Sequence, residues 1–328
     1  MDYSALPGLT VDVVDGVASV TLNHPPLNLM DGVLLPSLRG FVHRVRSDRD
    51  VRVVVFQSAD PEFFSAHGDM AYVTDPEALP AATRAAIEAA PGAEIPEGLN
   101  VLQALSEEVR TLPQVTIGKL AGFARGAGNE FLTALDMRFA AIGASGQSQP
   151  EAHLAIVPGG GGTVNLTRLL GRARALEVLV GGQLIDAETA ERYGLVNRAL
   201  PADAIDAFVD ALARRMAKVK PEVVASLKRI VERAAPAAER DVYAVKTLRC
   251  TASSRRTWFE SRSGSRMPEC RRGRVNGTWR GSSTASPDPG LLEYTLSWSR
   301  CFVSEPEPVG SGSLVLSGGS HRFRLAGW

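Results

Sequence analysis

Two glutamates, Glu130 in "GAGNE" and Glu151 in "QPEAHLAIVPGGGGT", each stand beside a glycine-rich segment. Two carboxyl groups placed across one reacting bond can divide acid–base work. Such a pair can serve as proton acceptor and proton donor. Carboxylates that close titrate as a coupled pair, so sequence assigns neither a separate pKa. Two loops could stabilise the charge that such a reaction develops. "FFSAHGDM" (residues 63–70) follows a strand pattern after a short connection, and "AGFARGAGNE" (residues 121–130) joins a strand to the start of a helix. Each can present a backbone N–H, and two donors converging on one oxygen make an oxyanion hole. Any one of these features alone reads as a turn or a solvated glutamate. Their succession along one chain is what makes them specific.

The four glycines 159–162 raise the separate possibility of a phosphate cradle. That motif needs Lys and Ser/Thr directly after the glycines, and "PGGGGTVN" offers Thr163 without Lys. The run reads instead as backbone that passes close to something bulky, or as a helix starting tightly against a strand. His24, His67 and His153 each read first as packing residues with one hydrogen bond; His67 is alternatively a ligand contact or a base.

Elements that could hold these groups alternate along the chain. Residues 11–14 and 17–22 pattern as a hairpin around Asp15 and Gly16, and Asp31 can cap a helix reaching about Ser47. Residues 51–57 (VRVVVFQ) form a β-branched run typical of a buried strand. An Ala-rich helical stretch broken by "PGAEIPEG" occupies 75–112. A strand over 113–121, a glycine-rich turn over 122–128, a helix over 129–136 and a strand over 137–142 follow. Helices broken at "GRARA" fill 163–193, and "LVNRAL" (195–200) is a short strand. Residues 201–219 and 221–245 read as helices with proline in the first turn. Strand–helix alternation with a helical appendix predicts an α/β fold.

Composition limits the function classes. The chain has 328 residues, 36 basic and 36 acidic. Residues 249–328 hold 12 Arg, no Lys and 6 acidic residues, so the body before them carries the acidic excess. An acidic body gives no case for nucleic-acid binding, which needs clustered basic surface. All three Cys (Cys250, Cys270, Cys301) also fall after residue 248, which leaves the body without a disulfide or thiolate metal site and suits a reducing compartment. No spaced His cluster suggests a metal. The first residues lack a signal-peptide pattern, and no stretch approaches the ~20 apolar residues of a membrane span, so the expected location is cytoplasmic. Residues 249–328, rich in Ser, Arg and Gly without periodicity, read as an irregular tail, either disordered or the product of a frameshift.

The series "VTLNHPPLN", "FFSAHGDM", "GFARGAGNEFLTALDMRFA", "QPEAHLAIVPGGGGT" and "AERYGLVNRAL" resembles the enoyl-CoA hydratase/isomerase (crotonase) family over about residues 9–247. The resemblance implies a spiral of repeated ββα units over 1–200 with an acyl-CoA site, then a helical oligomerisation segment over 201–248 that builds trimers or dimers of trimers. It implies backbone oxyanion donors at Gly68 and Ala127 and a catalytic pair at Glu130 and Glu151. It further implies substrate and CoA contacts at His24, Leu27, Ala66, Asp69 and Met70, and at Gly126, Pro158 and Gly159. His67 and Ala127 depart from the family pattern, which has glycine at both places. The expected activity is hydration of a 2-enoyl-CoA to a 3-hydroxyacyl-CoA, with coenzyme A present only as part of the substrate. Enoyl-CoA isomerisation, thioester hydrolysis and non-catalytic acyl-CoA binding by an oligomer are the alternatives. The acyl pocket is expected to be lined by residues 75–100.

Overall fold

The computed structural model describes residues 1–234 and two short strands near the C-terminus, Leu314–Val315 and Arg322–Phe323, which pair antiparallel. The chain divides into two units, Met1–Met267 and Pro268–Trp328. The tail expected over 249–328 and the end of the helix expected over 221–245 therefore lie outside the described residues, those two strands excepted.

The body is built on a six-stranded sheet of β1 (Leu9–Val14), β2 (Val17–Leu22), β3 (Val53–Ser58), β5 (Val115–Leu120), β7 (Met137–Ile142) and β10 (Arg198–Pro201), in that spatial order. The β1–β2 hairpin is antiparallel and every other pairing is parallel. Its central strands alternate between two cores, because successive side chains of a strand point to opposite faces. Val53 and Val55 join Ile117 and Phe139 beneath helix α8 (Ile205–Met216). Val54 and Phe56 face α1 (Leu34–Ser47), which buries Leu34, Leu35, Leu38, Phe41, Val42 and Val45 at helical spacing. On that face the rings of Tyr3, Phe41, Phe56 and Phe131 form a chain with centroids 5.3, 5.9 and 5.2 Å apart.

A second, smaller sheet runs β4 (Phe63–Ser65), β6 (Phe123–Arg125), β8 (Gly146–Ser148) and β9 (Ile185–Asp186). Each of β4, β6 and β8 follows its long partner in the main sheet after a sharp turn, and a helical turn or helix comes next. This is the ββα repeat. Because β4, β6 and β8 are parallel neighbours, the chain leaves all three at the same edge of the small sheet. The exits are His67–Gly68 after β4, Gly126–Ala127 at the start of α5 (Ala127–Ala134), and Gln149–Glu151 at a 3₁₀ turn, Glu151–Leu154.

The remaining helices are α2 (Ala71–Thr74), α3 (Ala78–Ala89), α4 (Val101–Arg110), α6 (Gly162–Gly181), α7 (Ala187–Tyr193) and α9 (Pro221–Ala234). The break expected at "GRARA" falls at Gly171, whose φ of 72° divides α6. Pro201 ends β10 rather than starting a helix, and α8 begins at Ile205. Within α8, Phe208 and Leu212 pack against the core of Val53, Val55, Ile117 and Phe139. The apolar residues α9 exposes are Val223, Leu227, Ile230 and Val231, while Lys228 fastens it to Asp136 Oδ2 at 2.7 Å and to the Gln114 carbonyl at 2.8 Å.

Arg39 is fully enclosed between α1, α3 and α4. Its guanidinium donates to Glu108 Oε1 at 2.7 Å, to the Ala86 carbonyl at 3.0 Å and to the Ala93 carbonyl at 2.8 Å. Replacing it with Met removes a buried charge but leaves Glu108 and two carbonyls unpaired. The expected cost is about 3 kcal/mol in chemical denaturation. A loss below about 1 kcal/mol would mean that the cluster does not hold α4 in place.

Candidate active site

The start of α5 explains the first oxyanion candidate. Gly126 has φ 50° and sends the chain from β6 directly into the helix, so Ala127 is its first residue and its N–H has no carbonyl four residues back. A Cβ on Gly128 would lie 2.6 Å from Ser65 Cβ and Oγ, so α5 approaches β4 as closely as glycine permits. The second candidate follows from a single β-bridge between Met30 and Gly68. Met30 N donates to the His67 carbonyl at 3.1 Å and Asp69 N donates to the Met30 carbonyl at 3.1 Å. That pattern turns the N–H of Gly68 itself away from Met30. The two positions are adjacent: a Cβ built on Gly68 would lie 3.1 Å from Ala127 Cβ. Only one of them can carry a methyl group comfortably, and here Ala127 does.

Glu130 projects from the first turn of α5 into the glycine run. Its Oε1 accepts N–H bonds from Gly160 and Gly162, both at 2.8 Å, and the side chain is buried. This is the work of the four glycines: a Cβ on Gly160 would lie 2.8 Å from Glu130 Oε2, and one on Gly162 2.8 Å from Cγ. Glu151 is 8% exposed. Its Oε1 accepts from Gln149 Nε2 at 3.1 Å, and its buried Oε2 has no hydrogen-bond partner. Burial, followed by the charge of Glu130, pushes the Glu151 carboxyl up to about 8. Both causes favour the protonated form of Glu151, the form that can act as a donor.

A chain of buried amides aims Glu151. Gln147 Nε2 donates to Asn129 Oδ1 at 2.7 Å, Asn129 Nδ2 to Gln149 Oε1 at 2.7 Å, and Gln149 Nε2 to Glu151 and to the Gly126 carbonyl at 3.2 Å. Sequence reasoning passed over all three amides. The available signal was "GQSQP", where polar residues at alternate strand positions face inward. The bond from Gln149 lowers the pKa of Glu151. Gln149→Met should thus move the alkaline limb of the activity profile upward and reduce kcat about ten-fold. An unmoved limb in a pH–rate series would show that Gln149 does not act on Glu151.

The other expected contacts surround this centre. Ala66 is buried and donates to the Leu27 carbonyl at 3.0 Å, joining the two segments side by side. Asp69 Oδ1 accepts from Ala71 N at 2.8 Å, and the Met70 carbonyl takes the N–H groups of Val73 and Thr74, so both organise α2. His67 Nδ1 lies 2.7 Å from the Gly68 carbonyl oxygen. His24 Nε2 lies 2.7 Å from Asp31 Oδ2, and Asp31 Oδ1 takes the N–H groups of Val33 and Leu34, which gives His24 a task at the start of α1. His153 is bonded to the Gly181 carbonyl at 2.9 Å, away from the pair. Pro158 is buried and the Gly159 carbonyl accepts from Asn100 Nδ2 at 2.9 Å.

Between these groups lies a cavity of about 10 Å³, lined by Met30, Leu102, Leu105, Ser106, Ala127, Glu130, Phe131 and Gly160. That is roughly the space of one water molecule. Residues 75–100, expected to line the acyl pocket, do not line this cavity, whose wall on that side is α4 with Leu102, Leu105 and Ser106. Leu105 of this helix and Phe131 line the cavity together, while Arg110 on another side of the helix pairs with Glu107 and with Glu232 of α9. Among the described residues no group of three or more His, Cys, Asp or Glu side chains could hold a metal ion, and no helix is long and apolar enough to cross a membrane.

The ββα spiral, with its three loop exits at one edge and the buried Glu130 and Glu151 beside them, is a crotonase fold. The chain belongs to the enoyl-CoA hydratase/isomerase family, whose sequence profile matches residues 12–255. It thereby joins enzymes that act on acyl-CoA thioesters. It is similar to a Streptomyces avermitilis protein assigned as an enoyl-CoA hydratase, with 42% identity, a TM-score of 0.66, and coverage of 74% of this chain and 84% of that one. It is 31% identical to carnitinyl-CoA dehydratase of Citrobacter koseri over 215 residues, 65% of this chain and 76% of the relative. It is also 31% identical to mitochondrial methylglutaconyl-CoA hydratase of Rattus norvegicus over 173 residues, 53% of this chain and half (50%) of the relative's length.

Proposed function

We propose that the chain adds water across the conjugated double bond of a 2-enoyl-CoA, giving a 3-hydroxyacyl-CoA. The observation that carries this reading is the pairing of an enclosed, proton-holding Glu151 with Glu130, which the glycine run fixes beside a water-sized cavity. The N–H groups of Gly68 and Ala127 hold the thioester oxygen and stabilise the enolate that forms as the β carbon is attacked. Glu130 orients water and takes its proton while the hydroxyl bonds to the β carbon. Glu151 gives its proton to the α carbon. Transfer of one proton back from Glu130 to Glu151 resets the pair. Coenzyme A takes part only as the substrate's carrier, and the amide chain of Gln147, Asn129 and Gln149 keeps Glu151 aimed.

Incubation with crotonyl-CoA tests the reaction: the absorbance of the conjugated thioester should fall as 3-hydroxybutyryl-CoA forms. Release of free CoA thiol would identify a thioester hydrolase. Interconversion of the 2- and 3-enoyl isomers of hexenoyl-CoA without hydration would identify an isomerase. Ligand binding with no turnover of any kind would leave a non-catalytic acyl-CoA carrier.

The proposed assembly is a trimer or a dimer of trimers, with α9 at the contact. Its exposed Val223, Leu227, Ile230 and Val231 form a stripe at helical spacing. Light scattering should find no monomer at micromolar concentration, and Ile230→Glu with Leu227→Glu should produce it. A monomeric parent chain would remove this proposal.

A further inference from the structure

The helix that walls the cavity beside Glu130 is fastened to the same glycine run that fixes Glu130. α4 starts in a capping box, in which the Asn100 side chain accepts from Gln103 N at 3.0 Å and Gln103 Oε1 accepts from Asn100 N at 3.0 Å. With its oxygen used in this way, Asn100 gives its Nδ2 to the Gly159 carbonyl at 2.9 Å. Two turns further on, Ser106 Oγ donates to the Gly160 carbonyl at 2.6 Å. Glu108, near the end of the helix, is held by Arg39. α4 is therefore tied down along its length, and it presents Leu105 and the half-buried Leu102 to the cavity.

The walls differ in how far they can yield. Met30 is buried but unbranched, with a thioether that adapts to new neighbours. Leu102 is half-buried, so these two side chains are the softer part of the lining. A chain that presses past them displaces α4 itself, which breaks both side-chain bonds and leaves the Gly159 and Gly160 carbonyls without them. Gly160 also donates its N–H to Glu130, so lifting α4 disturbs the carboxylate as well. Chain length is thereby linked to the geometry of the catalytic pair.

We propose that α4, latched to the glycine run by Asn100 and Ser106, acts as a chain-length stop that restricts this site to short acyl groups such as crotonyl and hexenoyl. The inference rests on the acyl-CoA reading of the site. In an open tunnel each added methylene, once buried, improves affinity about four-fold. Against a fixed wall the gain is absent and overpacking reverses it.

Saturated thioesters separate this inference from the hydration reading, because they bind without reacting. Titration calorimetry of the full chain with butyryl-, hexanoyl- and decanoyl-CoA should show decanoyl-CoA bound at least ten-fold more weakly than butyryl-CoA. Ser106→Ala, Asn100→Ala and Leu105→Ala, each checked by thermal melting, should narrow that ratio by strengthening decanoyl-CoA binding. Leu105→Ala keeps the test decisive if either latch variant fails to fold. Affinity that is level or rises from butyryl- to decanoyl-CoA in the parent chain overturns the stop. A short-chain preference that no folded variant relaxes places the limit elsewhere and overturns the role of α4. Short-chain binding without hydration of crotonyl-CoA overturns the proposed reaction alone, and no binding of any thioester overturns both.

Discussion

Replacing Glu130 or Glu151 with Gln should each lower kcat for hydration of crotonyl-CoA by about 10²–10⁴-fold, the usual contribution of a positioned acid or base. Gln keeps the volume of the side chain but cannot exchange a proton. At position 130 it can still accept the N–H groups of Gly160 and Gly162, so the glycine run keeps its place. At position 151 it can still accept from Gln149. Binding of a saturated acyl-CoA should therefore persist in both variants, since the oxyanion donors belong to the backbone. The double variant should lose less than the product of the single losses, because the two groups act on one transition state. If Glu151→Gln hydrates at nearly the parent rate while Glu130→Gln does not, the two-carboxyl reaction is wrong and a single-base isomerase explains the site better.

The same substitution carries a stability signature. An isolated glutamate ionises near 4.5, whereas Glu151 in the folded chain holds its proton up to about 8. The folded state thus binds more protons than the unfolded state between those values. Its contribution to stability is fully present below about 4.5 and is lost as pH rises through about 8. Glu151→Gln removes this dependence. Melting temperatures should show the variant gaining on the parent as pH is raised from 5 to 8. A gap that stays constant over that range would mean that Glu151 titrates like a solvated carboxylate.

How far sequence reached depended on the length of the element. The β-branched run over 51–57 and the run Met137–Ile142 announce their strands, because four consecutive buried positions leave a pattern that few turns imitate. β4, β6 and β8 have three residues each and show no period at all, so they read as loops. Yet these are the strands that bring the three exits to one edge. The glutamates were visible as residue types at glycine-rich segments, and resemblance gave them roles. Their environments were not visible. The amides that aim Glu151 come from positions 129, 147 and 149, the second on a strand too short to recognise and the third just past its end. The helix that walls the cavity follows the segment expected to line it. Contacts between distant segments depend on how the ββα turns stack, and local pattern does not encode that stacking. What the glycine run touches was equally hidden, since glycine records only that a side chain would not fit.

Gly160→Ala should disable the site while leaving the fold largely intact. A Cβ at this position would lie 2.8 Å from Glu130 Oε2 and 3.1 Å from Cδ, and real Cβ atoms do not come that close to a neighbour. What it meets is the end of a flexible side chain, so the conflict is relieved by turning the carboxylate, and the backbone need not move far. That movement breaks the bonds from Gly160 and Gly162 to Oε1 and takes Glu130 away from the water it would activate. Displacement of a reacting group by about 1 Å can cost on the order of 10²-fold in rate, and a loss of that size in kcat is expected here. The cost in stability should stay at the lower end of the ~1–3 kcal/mol typical of overpacking. Gly128→Ala supplies the contrast, because its Cβ would meet the Ser65 carbonyl oxygen at 2.7 Å, a backbone atom that cannot rotate away. That variant should lose stability and activity together, since α5 and β4 must separate and carry the Ala127 and Gly68 donors apart. Urea unfolding beside steady-state kinetics decides between the two patterns. If Gly160→Ala proves as unstable as Gly128→Ala, the glycine run is a packing element first. Parent-like activity in a folded Gly160→Ala would remove Glu130 from the reaction.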